Sequence, residues 1–520
     1  MGEPAMMPGF RQSMAWLHTW SGLLLGWLLY AVFFTGTTAY FNQEITAWMT
    51  PESVEQADPR TAAVNAQAWL ARHHPDAVTW DVMLPASRGG ETRLSWTEAS
   101  SPTASDAARG SMRLNGRGLD TPVPRPTAGG QFLYGFHYEL HYVPYRTARW
   151  IVGLSAMFML VAIVSGIVTH KKIFADFFML RFGKGQRSWL DAHNVTAVLA
   201  LPFHLMITYT GLVALMHMYM PWPDMMRPKP PRFAPMTIEA SAAPSAPLTA
   251  LLPLLTQASQ EWGGVQAVRI KYQHPGHADA RITLFPSGAD SIAEHHGAQI
   301  FDGATGALIT PPPSTSNTHI VESAMVGLHA GRYAAPTLRW LYFLSGLGGT
   351  VMIGTGLLLW IVKRRQRLPD PEHPYFGFRI VERLNIGTIV GLPAGVAAYF
   401  LANRLLSTDA VGRADWEIRC LFITWTALLV WSIVRPAKSA WVEALTVCAL
   451  LYALVPIVSA LTTTRGLFSS LITRDWVFVS FDLVMLITAA LLTLAVRKLA
   501  SHTPKAAPRR KPRPSVEAAA

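Results

Sequence analysis

The chain has 520 residues, half of them hydrophobic and only 15% charged, with a net charge of +12. Soluble domains carry about 25% charged residues, which argues against a soluble enzyme. The positive charge gathers in short loops, which points to membrane topology rather than nucleic acid. Two cysteines, Cys420 and Cys448, both in apolar stretches, leave no C-x-x-C-H for thioether-linked haem and no ligand set for an iron–sulfur cluster. With no G-x-G-x-x-G after a strand and no G-x-x-x-x-G-K-[ST], the sequence reads as neither an ATP-driven pump nor a self-contained NAD(P)H reductase.

In chain order, residues 12–43, 150–170, 192–223, 340–362, 384–403 and 444–464 carry no Asp, Glu, Lys or Arg. About 20 apolar residues cross a bilayer, so each is read as a span. Two shorter stretches, 416–434 and 475–497, bring the count to eight. Lys171, Lys172, Arg181, Lys184 and Arg187 follow span 2; Lys363, Arg364, Arg365, Arg367, Arg379 and Arg383 follow span 4; Arg497, Lys498, Lys505, Arg509, Arg510, Lys511 and Arg513 follow span 8. Alternating spans put all three groups on one side, the cytoplasmic one. Both termini then lie inside, and segments 44–148 and 219–338 lie outside. Each outer segment reads as a small α/β module. AAVNAQAWLARHHP is a helix followed by strands TWDVMLP, ETRLSWT and SMRLNGRG; LTALLPLLTQASQEWG is a helix followed by VQAVRIKY, ARITLFP and AQIFDGATGALIT.

The first four spans repeat. Span 1 holds His18 and then Thr35-Gly36; span 3 holds His193 and then Thr210-Gly211, with the same separation. LHYVPYRTARW and LHAGRYAAPTLRW open spans 2 and 4, aligning His141 with His329 and Trp150 with Trp340; Ser165-Gly166 and Thr355-Gly356 follow at equal distance. Residues 10–172 and 188–363 are therefore two copies of one unit, related by a pseudo-twofold axis along the membrane normal. The modules occupy 44–135 and 236–320, four additional spans 384–498, and a basic tail 499–520.

The W-L-H-x-W-x-G-L opening, S-G-I-V-T-H-K-K, L-D-A-H-N and F-D-G-A-T-G-A-L resemble the PepSY-associated transmembrane proteins over residues 10–365. Members of that family include bacterial inner-membrane ferric-siderophore reductases. The resemblance implies an all-α membrane fold with a four-helix core holding b-type haem, PepSY-like periplasmic modules and a multi-pass place in the inner membrane. Spans 5–8 contain no histidine and lie outside that pattern.

Imidazole in hydrocarbon is costly and rarely incidental. His18, His170 and His193 lie at the cytoplasmic ends of their spans, while His141, His217 and His329 lie near the outer ends. His204 follows His193 by 11 residues, on the same helix face and about 16 Å deeper. Imidazoles from facing helices ligate haem without covalent attachment, and small residues clear room for the flat ring: Gly22, Gly36, Gly166, Gly211 and Gly356, with Ala197 and Ala200. The expected iron ligands are His18, His141, His170, His193 and His329, with His204 a further candidate, around two b-type haems. The inner pair is expected to be His18–His193 with His170 competing, and the outer pair His141–His329.

The expected activity is electron transfer from quinol or a separate cytoplasmic reductase to a periplasmic ferric chelate or siderophore. One alternative is a non-catalytic PepSY binding or anchoring protein. Another is a copper-handling transporter, drawn from Met216, Met218, Met220, Met225 and Met226. Asp482 inside span 8 hints at a proton or ion partner, and His73-His74 and His295-His296 read as solvated loop residues.

Overall fold

The computed structural model describes residues 9–502 except 53–57, 86–87, 89–91, 100–108, 115–123, 171–179, 182, 184, 221–239, 290, 294–296, 311–316 and 371–372. Met225, Met226, His295, His296 and the basic tail beyond 502 lie outside the described residues. Among the described residues, seven helices are long and apolar enough to cross a membrane: Phe10–Ala39 (span 1), Tyr145–Thr169 (span 2), Pro336–Arg365 (span 4), Phe376–Leu405 (span 5), Arg413–Val434 (span 6), Ala437–Thr462 (span 7) and Trp476–Ala500 (span 8). A lipid bilayer is their medium. Span 3 is broken rather than continuous, for Gln186–Leu199 and Leu201–Ala214 meet at 68°. Pro202 has no N–H for the helix ladder, and its ring collides with the carbonyl four residues back, so the chain turns at Ala200. Counted as one span, the two halves bring the total to eight, and His204 does not share a straight helix face with His193.

Span 5 carries one π-helical turn, Gly387–Gly391, just ahead of Pro393, a place where such turns form. There Gly387, Gly391 and Gly395 lie against Leu429, Trp425 and Leu421 of span 6. Small residues let two membrane helices approach where lipid supplies no hydrophobic drive.

The two outer modules are not separate. Their strands are β1 (Thr79–Met83), β2 (Thr92–Thr97), β3 (Arg109–Leu114), β4 (Ala267–Gln273), β5 (Arg281–Pro286), β6 (Gln299–Asp302) and β7 (Leu308–Thr310). They form one antiparallel sheet in the order β3-β2-β1-β4-β5-β6-β7. The seam is β1 against β4, with Val82 opposite Ile270 and Trp80 opposite Tyr272. An unpaired first strand in each module would leave an open edge; pairing β1 with β4 closes both. Trp80, Val82, Ile270, Tyr272, Ile282 and Leu284 are buried in one core under the helices Pro59–His73 and Leu251–Glu261. Asp81 and Arg269 tie the seam as a two-pronged ion pair. AQIFDGATGALIT is a hairpin instead of one strand: Asp302 Oδ1 accepts from the Thr305 amide at 2.7 Å, and Gly306 takes φ +77°, the conformation glycine adopts without penalty.

Spans 5–8 join the first unit through a buried polar network at the sheet side. Glu417 accepts from Asn403 at 2.8 Å, from Thr127 at 2.6 Å and from Arg413, and Arg413 and Glu417 are both fully buried. Arg125 reaches the Asn403 carbonyl at 2.8 Å, while Trp48 donates to Asp482 at 3.1 Å and lies under Arg404. Asp482, an isolated hint in the sequence, thus anchors a tryptophan of the first unit. Removing one partner of a buried pair leaves an uncompensated charge and costs about 3–5 kcal/mol. Glu417→Ala is therefore expected to destabilise the protein by that amount, read as a fall in thermal unfolding temperature in detergent, and Arg419→Ala on the same span should change it little.

Candidate functional site

Four histidines meet in two facing pairs, each built the same way. His18 of span 1 sits on Gly166 of span 2, and its Nδ1 lies 2.8 Å from the Ala162 carbonyl. His193 of span 3 sits on Gly356 of span 4, with Nδ1 2.9 Å from the Met352 carbonyl. At the sheet end, His137 sits on Gly36 with Nδ1 2.7 Å from the Val32 carbonyl, and His329 sits on Gly211 with Nδ1 3.0 Å from the Ile207 carbonyl. Each accepting carbonyl lies four residues before its glycine. The hydroxyl residue ahead of each glycine (Ser165, Thr355, Thr35 or Thr210) bonds back into its own helix. That leaves the glycine surface bare for the ring. A Cβ at these glycines would come within 2.5–3.2 Å of the imidazole, so no larger residue fits without moving the ring.

The backbone carbonyl fixes the proton on Nδ1 and frees Nε2, the arrangement that orients metal-ligating histidines. The ring centroids stand 6.2 Å apart for His18–His193 and 5.9 Å apart for His137–His329. Two imidazoles sharing one metal ion through bonds of ~2 Å stand about this far apart. Burial pushes His329 down to about 3, helped by His137 beside it, and burial also lowers His137. Both rings are held neutral, the form that ligates.

The pairs occupy two cavities. The larger, about 710 Å³, holds His18 and His193 with Gly22, Gly166 and Gly356 on its wall; Lys363, Arg364 and Arg367 line its mouth. The smaller, about 330 Å³, holds His137 and His329 with Gly36, Gly211 and Arg149. Leu29 and Met159 belong to both walls. Among the described residues no group of three or more His, Cys, Asp or Glu side chains is placed to hold a metal ion. A metal between either pair therefore takes two nitrogens from the chain and brings its remaining ligands with it. This donor set fits a metal macrocycle, and the bare glycine floors fit a flat one.

His141 is not in this arrangement. Its ring packs on Phe132, Tyr142 and Phe422, and His137, one helical turn earlier, faces His329 instead. Aligning the repeats on LHY and LHA gave the wrong register. Gly135-Phe136-His137 matches Gly327-Leu328-His329, and both histidines lie in the last turn of their helices, Gly129–Glu139 and Asn317–Ala330. The first unit has two more residues before the tryptophan. His170 caps the end of span 2 and lines the larger cavity beside the His18–His193 pair. His204 is buried between the cavities, its Nε2 3.3 Å from the Ser345 carbonyl, so that nitrogen is committed to the backbone. His217 binds Glu322 at 2.6 Å.

The sequence profile of the PepSY-associated transmembrane region matches residues 15–363. The chain belongs to that family. The match runs from within span 1 into the last turn of span 4. An uncharacterized protein of Pseudomonas aeruginosa is 24% identical over 316 residues, which cover 55% of this chain and 76% of that protein.

Proposed function

We propose that this family member is a b-type haem oxidoreductase that passes electrons across the membrane to an acceptor on the sheet side. A ferric chelate such as a ferric siderophore is the acceptor that the chemistry favours. The observation that supports this is the fourfold recurrence of one device: a glycine floor, a carbonyl four residues earlier and an imidazole with its Nε2 free. Packing histidines have no reason to recur in facing pairs, each with Nδ1 on a carbonyl and its ring on a glycine. Haem, when bound, supplies one-electron transfer. The chain's part is to hold two such groups in neighbouring cavities, His18 and His193 at one end and His137 and His329 at the other. Lys363, Arg364 and Arg367 at one mouth and Arg149 at the other offer cations to the macrocycle's carboxylates.

In this reading, which the basic loops support, the larger cavity lies on the cytoplasmic side of a bacterial inner membrane. Quinol or a separate reductase delivers electrons there, and the sheet faces the periplasm. Iron reduced to Fe(II) prefers softer ligands than a siderophore's oxygens and is released.

The test is an oxidised and a dithionite-reduced absorption spectrum of the purified full-length protein with haem quantitation. Two haems per chain with low-spin bis-imidazole spectra are expected, and His193→Ala should cost one of them. A colourless preparation from haem-replete cells would overturn the reading.

A further inference from the structure

The wall between the two cavities is polar on one side of the pseudo-twofold and apolar on the other. The offset that takes His18 to His193 takes Leu29 to His204 and Phe33 to Thr208; the offset that takes Trp150 to Trp340 takes Met159 to Gly349. The first unit thus contributes Leu29, Phe33 and Met159 to the partition, and the second contributes His204, Thr208 and Gly349. The glycine makes the exchange fit: a Cβ there would lie 2.6 Å from the Phe33 ring and 3.1 Å from His204 Nε2. His204 lines the larger cavity and Thr208 the smaller.

Both side chains keep an unspent polar atom. His204 is fully buried and Thr208 is 5% exposed, yet His204 Nδ1 and Thr208 Oγ1 have no hydrogen-bond partner among the described residues. Thr208 could bond back to its own helix as Thr37, Thr196 and Thr210 do, and it does not. With Nε2–H donating to the Ser345 carbonyl, His204 Nδ1 is an acceptor. Residues four apart on a helix stand about 5–6 Å apart at Cβ, a gap that one water with two hydrogen bonds spans. Orphaned buried polar atoms are rare in native proteins, and buried water commonly satisfies such groups.

We propose that His204 and Thr208 hold a single water molecule in the partition, and that this hydrated wall sets the electron equilibrium between the two imidazole-pair sites. His204 is then a positioning residue rather than an axial ligand. The effect on electrons rests on the haem reading above; the water itself does not.

The experiment uses full-length protein carrying His204→Leu, Thr208→Val or both, Leu being the residue the other repeat unit places there. Spectroelectrochemical titration should show two haems retained in every variant. It should also show the electron distribution between the sites altered on the order of tenfold, 59 mV for a one-electron couple, by either single change. The double variant should shift no further than the larger single. Loss of a haem in His204→Leu, unchanged distributions in both singles, or shifts that add in the double would each overturn the proposal. Thermal unfolding of the same four proteins prepared without haem gives a second cycle. Coupling between the two changes supports the shared water, and additivity overturns it even if the wild type never binds haem.

Discussion

Alanine in place of His137 is expected to remove one haem per chain and abolish reduction of an external ferric chelate, while His141→Ala keeps both haems. The two residues are one helical turn apart, yet only His137 has its Nδ1 on the Val32 carbonyl and its ring on Gly36, facing His329. His141 lies among Phe132, Tyr142 and Phe422, so its loss costs packing alone. Under the proposed haem reading His137 would hold the metal, and its loss leaves His329 opposite an open cavity. Haem quantitation on the two variants, with the His18–His193 site reporting intact insertion, separates the cases. Two haems in His137→Ala, or one in His141→Ala, would return the ligand to the position favoured by the looser repeat alignment.

That misplacement shows what a single chain discloses. Charge-free stretches disclose spans because hydrocarbon tolerates little else, and span 4, from Trp340 onward, lies where its lack of charge puts it. The four hydroxyl–glycine pairs were visible in the sequence as well, and each is a floor for one ring. The choice between His137 and His141 was not visible from likeness alone, because neighbouring letters in a loop matched better than those in the helix. The glycine floor at Gly36 and a histidine in the last turn of a helix together single out His137. Pro202 carried the break in span 3, a local signal overridden by the apolar run around it. The joining of the two modules had no local signal: β1 and β4 are far apart in the chain, and their edges meet only in the folded sheet.

Truncation after Arg367 is expected to cost the sheet-side haem and much of the stability, although spans 5–8 contain no histidine. The helix Gly129–Glu139 that presents His137 leans on them directly: Phe132 packs on Tyr399, and Phe136 on Phe422 and Trp425. Tyr399 donates to the Gly129 carbonyl at 2.8 Å, fixing the start of that helix. Span 1 is held likewise, with Trp27 donating to Asn385 at 2.8 Å and Tyr30 to the Ile389 carbonyl at 3.1 Å. Without spans 5–8, Trp48 loses its stack on Phe481 and its bond to Asp482, and Arg125 loses the Asn403 carbonyl. Each buried group left unsatisfied costs about 1–3 kcal/mol, enough together to exhaust an ordinary stability margin of about 5–15 kcal/mol. His18 and His193 take their carbonyl and glycine partners from spans 2 and 4. A truncated chain that still inserts should therefore hold its remaining haem at the His18–His193 pair. Haem count and the sensitivity of the remaining spectrum to His193→Ala decide it: two haems in the truncated protein would mean that the first four spans carry both sites unaided.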